Sequence, residues 1–186
     1  MPNIIELPLK DAKLIQLNKK VDQRGWFLEL FRQSWIDEAK ISNKFIFEYT
    51  SKSTEEGTIR GMHAQTSKQP MSKLVTVLNG SIQDVIVDAR IDSPTYGKSC
   101  EIFLDDTSLS LVYIPRGFYH GFKTLSKDTY VYYKLDNYYN KDEECGFMYN
   151  DLSLSIDWKL SKEPIISQRD TTHPSWKNAY KFQGVF

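Results

Sequence analysis

An all-β sandwich or jelly-roll barrel with a few short helices is the fold class that this 186-residue chain predicts. Three observations carry that expectation. Short runs of alternating apolar and polar residues recur along the chain, separated by turn residues such as Asn79-Gly80, residues 93–97 and residues 105–107. Aromatic residues are abundant, with 11 Tyr and 10 Phe, and such side chains suit a pleated, half-buried surface. Little of the chain carries the helical period. The length suits one domain, residues 1–186, with room for a real core.

Taken in order, residues 4–17 read as one or two short strands interrupted by Pro8. Residues 22–25 read as a turn and 26–31 as a strand that Arg24 opens, with Trp26, Leu28 and Leu30 on one face and Phe27, Glu29 and Phe31 on the other. Ser34 is a candidate N-cap for a short helix through Ala39. Residues 45–51 form a further strand, with Ile46, Glu48 and Thr50 on one face. Residues 73–78 and 81–88 flank Asn79-Gly80, the dipeptide of a two-residue hairpin turn. Lys73 shares a face with Val75 and Val77, and Asp84 alternates with Ile82 and Ile86, a place that demands a partner for its carboxylate. Residues 100–104, 109–114 and 129–135 complete the strands, the last with Val131, Tyr133 and Leu135 on one face.

Two segments are dense in chemistry. Residues 57–73 hold Arg60, His63, Gln65 and Lys73 in a run punctuated by Gly57 and Gly61. Arg60 and His63 are three apart and would face opposite ways in a regular strand; a bend or bulge at Gly61 would bring both inside. Residues 115–122 place His120 between two glycines.

Composition excludes several classes. The net charge is zero, which gives no bulk reason to expect nucleic-acid or membrane binding. The only cysteines, Cys100 and Cys145, lack metal or disulfide spacing and read as reduced thiols. No run reaches the roughly 18 apolar residues of a membrane span, and the first residues carry no secretory pattern, so the expected location is the cytoplasm. No P-loop, dinucleotide fingerprint or nucleophile elbow occurs. A metal-dependent barrel would supply paired histidines, but only His63, His120 and His173 exist and none is two residues from another. The expectation is a pocket with no metal and no cofactor. What remains is a His, Lys, Tyr and Arg set suited to acid–base work on a substrate with an acidic C–H and an anionic handle.

GTIRGMHAQ, Lys73-Leu74-Val75, GSIQDVIVDARIDSPTYG, IPRGFYHGF, VYYKLDNYY, NDLSLSIDW and ISQRD occur in the order seen in the dTDP-4-dehydrorhamnose 3,5-epimerase family, and Asp22-Gln23-Arg24-Gly25 also fits. The chain resembles that family over roughly residues 20–170. The resemblance implies a cupin-like jelly-roll barrel, a homodimer, no metal and a nucleotide-linked 4-keto-6-deoxy-sugar substrate. It implies His63 as general base, Asp170 as the carboxylate that holds the His63 ring, Tyr133 as the acid on the opposite sugar face and Lys73 as the cation at the enolate oxygen. Arg60, His120, Tyr139 and Arg169 match substrate-contacting positions. Arg24, Phe27 and Glu29 match a strand that reaches into the partner subunit's site.

Against the family pattern, Glu48 and Thr50 stand for Gln and Asn, Met71 for Gln and Tyr119 for Ala. With these read as lining the hexose site, the expectation is retained chemistry on a different sugar, or inversion of one carbon only. A ketoisomerase of the same barrel, and a barrel that binds sugar nucleotides without turning them over, are the alternative functions.

Overall fold

The computed structural model describes residues 2–184. The alternating runs form β1 (Asn3–Glu6), β2 (Lys13–Gln16), β3 (Lys20–Asp22) and β4 (Gly25–Phe27), then the helix α1 (Gln33–Glu38). β5 (Phe47–Ser53), β6 (Ile59–Gln65), β7 (Lys73–Asn79), β8 (Ser81–Asp88) and β9 (Ser99–Asp105) follow. β10 (Ser110–Ile114), β11 (Phe118–Thr124), β12 (Thr129–Leu135) and β13 (Glu144–Gly146) complete the strands. Short 3-10 turns lie at Lys141–Glu143, Asp170–Thr172 and Trp176–Asn178.

Two antiparallel sheets face each other. One has the order β1-β2-β10-β7-β12-β5 and the other β13-β6-β11-β8-β9, while β3 and β4 form a separate ribbon. Val75, Val77, Ile82, Ile86, Val112, Phe118, Phe122 and Val131 fill the space between the sheets. Each such side chain, fully buried, contributes about 1.5–3 kcal/mol. The outer face of the six-stranded sheet buries Ile15, Leu74 and Leu111 under Ile36 of α1. The outer face of the other sheet buries Val85, Val87 and Tyr119 under Phe147, Trp158 and Phe182. This is the all-β jelly-roll class expected, with helix confined to one α-helix and short 3-10 turns among the described residues.

Three local expectations need correction. Asn79-Gly80 does not close a hairpin: β7 pairs with β10 and β12, and β8 with β9 and β11, so the turn passes from one sheet to the other. Gly80 has φ +85° and donates its N–H to Asp106 Oδ2 at 2.8 Å. The inward residues of β7 and β8 thereby meet across the sandwich instead of sharing one sheet. The strand expected over 26–31 ends at Phe27, because Leu28, Leu30 and Phe31 leave the ribbon to pack on the α1 layer. Ser34 lies inside α1, whose N-cap is Arg32 and has no side-chain cap bond.

Candidate active site

The inward face of a strand next to a gap in the core is where polar side chains can share a cavity. Here a cavity of about 750 Å³ opens between the two sheets. Lys73, at the mouth of β7, extends the apolar face of Val75 and Val77, and Tyr133 extends that of Val131 and Leu135 on β12. Phe47, Tyr49 and Ser51 of β5 line the same wall. The facing sheet supplies Arg60, His63, His120 and Glu144, and the C-terminal segment adds Arg169 and Asp170.

A bulge makes that wall. His63 pairs with His120 and Arg60 with Phe122, so three steps on β6 match two on β11. The extra residue turns Arg60 and His63 to the same side, the bulge being one of the two devices the sequence allowed. Gly61 permits it with φ +121°, and a Cβ there would lie 2.6 Å from Gly121 Cα.

Asp170 reaches the site because the irregular tail runs back along β6. Ile165 exchanges backbone hydrogen bonds with Gly57 and Ile59 at 3.1 and 2.8 Å, and the next turn delivers the carboxylate. Asp170 Oδ2 accepts the Gly61 N–H at 3.2 Å, and Oδ1 lies 2.8 Å from His63 Nε2. With Nε2–H donating to a carboxylate, the His63 lone pair is on Nδ1. Burial would raise the Asp170 carboxyl, but the imidazoles of His173 and His63 and the Gly61 N–H outweigh it and hold it far below the usual carboxylate range.

Burial pushes the Lys73 ammonium down to about 8, against the pull of Glu144 and Asp84. Burial, followed by the neighbouring Tyr49, pushes the Tyr133 phenol far above its ordinary value, so it stays protonated. Tyr49 stacks on Tyr133 with ring centroids 4.7 Å apart. His120 Nε2 lies 2.6 Å from Asp84 Oδ1 in a fully buried pair, and burial lowers the imidazole despite the carboxylate. Asp84 thus finds the partner its position demanded. Glu144 Oε2 accepts from Tyr139 Oη at 2.8 Å and Arg169 Nη1 at 2.5 Å.

The structure therefore brings together His63, Tyr133, Lys73, Asp170, Arg60, His120, Tyr139 and Arg169. It does not bring Glu48 or Thr50. Strand alternation puts them on the outer face of β5, where Glu48 accepts from Tyr132 Oη at 2.5 Å and Thr50 Oγ1 donates to Val131 O at 3.0 Å. Met71 is a core residue and Tyr119 is buried in the outer layer, so neither lines the cavity. The departures read as reshaping the hexose site are therefore not in it; the cavity face of β5 is Phe47, Tyr49 and Ser51. Arg24, Phe27 and Glu29 lie outside this cavity: Arg24 pairs with Asp22, Glu29 with Arg32, and Phe27 is 63% exposed. Sequence reasoning missed Glu144, Tyr49 and the approach of His173; period-two counting on residues 45–51 was enough to find Tyr49.

The model of the dTDP-4-dehydrorhamnose 3,5-epimerase family matches residues 6–178. This chain belongs to that family. A dTDP-4-dehydrorhamnose 3,5-epimerase from Neisseria gonorrhoeae is 37% identical over 96% of the chain, which spans 54% of that relative's length. The structure of a family epimerase from Bacillus anthracis, with TDP and PPi bound, superposes with TM-score 0.91 at 37% identity and covers 94% of this chain and 99% of its own. A 3,5-epimerase from Legionella pneumophila in complex with dTDP-4-keto-L-rhamnose gives TM-score 0.93 at 33% identity, covering 99% and 100%. The epimerase fold thus extends over nearly the whole chain.

Proposed function

We propose that this member of the epimerase family inverts C3, C5 or both in a nucleotide-linked 4-keto-6-deoxy sugar by removing and returning protons beside the ketone. The observation that carries this reading is the sharing of one cavity by His63 from one sheet and Tyr133 from the other, with Lys73 beside them.

The steps follow from those places. A C–H next to a ketone becomes acidic only when the developing enolate oxygen is stabilised, and the Lys73 ammonium supplies that charge in a desolvated wall. Lys73 Nζ makes no hydrogen bond to any described residue, so it is available to an oxygen. His63 Nδ1 takes the proton, and Asp170 faces the positive charge that forms on the ring. Return of a proton to the same face restores the starting sugar. Inversion needs a donor on the other face, and the protonated Tyr133 phenol is that donor. The cavity walls hold back stray solvent protons.

Arg60 and Arg169 give the cationic groups for a diphosphate, with His120 and Tyr139 beside them. The ligand is a nucleotide sugar, thymidine-linked by analogy with the two bound relatives. The β3–β4 ribbon, with Arg24 and Phe27 exposed and Glu29 just beyond it, reaches the site of a second copy in a homodimer. No helix among the described residues is long and apolar enough to cross a membrane.

The test is an NMR assay in deuterium oxide with dTDP-4-keto-6-deoxyglucose. Deuterium at C3 or C5 with an inverted product supports the reading. A keto group that moves to C3, or a substrate recovered without any label, overturns it.

A further inference from the structure

His63 does not face Asp170 alone. His173, three residues beyond Asp170, stands edge-on to His63 with ring centroids 5.5 Å apart and planes at 73°. Its Nε2 is buried, stops 3.7 Å from Asp170 Oδ1 and has no hydrogen-bond partner among the described residues. Gly146 of β13 makes the space: a Cβ there would lie 2.5 Å from both Cε1 and Nε2 of the His173 ring. His63, Asp170 and His173 each offer a donor atom, and the three atoms lie within 4.8 Å of one another.

Two imidazoles and a carboxylate are the donor set of borderline transition metals, and a buried imidazole nitrogen without a hydrogen bond is costly until it gains a partner. We propose that His63, Asp170 and His173 form a binding site for a divalent transition-metal ion of the zinc class, and that occupation of the site stops the acid–base chemistry.

Ligand bonds of about 2.0–2.2 Å in a tetrahedral arrangement set donors about 3.3–3.6 Å apart, so the His173 ring must advance by about an ångström. The element that moves is a short turn outside the sheet ladders: Asp170–Thr172 is one 3-10 turn, and His173 is its C-cap. Inhibition follows from the tautomer. An ion on His63 Nε2 takes the lone pair of that nitrogen, and the ring proton that had pointed at Asp170 moves through solvent to Nδ1. Nδ1 then has no lone pair with which to accept a substrate proton. The effect on turnover rests on the function proposed above; the binding site does not.

Cobalt(II) is the probe, because its visible absorption reports coordination without reference to activity. Chelator-treated protein titrated with Co²⁺ is expected to show one equivalent of low-symmetry Co²⁺ per chain, displaced by Zn²⁺. One equivalent of Zn²⁺ is expected to abolish epimerisation, and a chelator to restore it. His173→Ala and the bulkier His173→Gln are expected to weaken Co²⁺ binding at least about 100-fold, as loss of a ligand does more than loss of a second-shell partner. A wild-type protein that takes up no stoichiometric Co²⁺, or variants that bind it as tightly as wild type, overturn the site. Binding that needs His173 in a protein with no epimerase activity on any 4-keto sugar upholds the site and overturns the proposed function instead.

Discussion

Lys73 illustrates how one residue's surroundings set the conditions under which the chemistry runs. Burial destabilises its charged form, so its folded-state pKa falls from 10.5 to about 8. The ammonium, the form that stabilises an enolate, is present below that value and lost above it. kcat/KM is therefore expected to have a basic limb near pH 8, and Lys73→Met to lose roughly 10²–10³-fold of kcat as a transition-state charge is removed. A profile flat to pH 10 contradicts the role. For the pair that moves protons, His63→Ala and Tyr133→Phe are each expected to lower kcat by roughly 10²–10⁴-fold in a steady-state assay. At this scale the sequence was informative where a side chain had a motif around it. The shared place of His63, Lys73, Tyr133 and Asp170 was legible in that way, whereas Glu48 and Thr50, grouped correctly with Ile46, were given to the cavity although the apolar face of Phe47 and Tyr49 is the one that turns inward. Glu144 was missed because it sits in a three-residue strand, too short to show a period.

The elements show which regularities carry function. The bulge in β6 needs Gly61 against Gly121, backbone to backbone. Gly61→Ala places a Cβ 2.6 Å from Gly121 Cα at a positive φ, and is expected to cost at least about 1–3 kcal/mol in denaturant unfolding and to remove activity by turning Arg60 or His63 away. Unchanged stability and turnover in that variant would remove the bulge from the account. An irregularity at Gly61 was legible, since two residues three apart face opposite ways in a regular strand, but whether it was a bend or a bulge was not. The destination of Asn79-Gly80 was not. Turn chemistry is local and fixes a reversal of direction, but whether the next strand joins the same sheet depends on the partners of β8, which come from β9 and β11. Asp170 likewise depends on long-range pairing, as Ile165 docks on Gly57 and Ile59.

At the scale of the whole molecule, two facing sheets give a substrate ring two differently equipped sides. The β3–β4 ribbon leaves Val21 and Trp26 on one face and Phe27 on the other, 72%, 55% and 63% exposed, apolar side chains that a second copy would cover in the proposed homodimer. Wild-type protein is expected to elute as a dimer in light-scattering chromatography, and Phe27→Ser with Arg24→Ala to raise KM at least about tenfold with a smaller change in kcat, since they touch binding and not the proton steps. A monomeric enzyme with full activity contradicts the shared site. The two-sided arrangement itself is tested most directly by isotope exchange in deuterium oxide with single-residue variants. The account predicts that Tyr133→Phe still exchanges the substrate C–H through His63 but returns it with its configuration retained, and that His63→Ala exchanges nothing. Inverted product from Tyr133→Phe at the wild-type rate, or exchange that survives in His63→Ala, would contradict it.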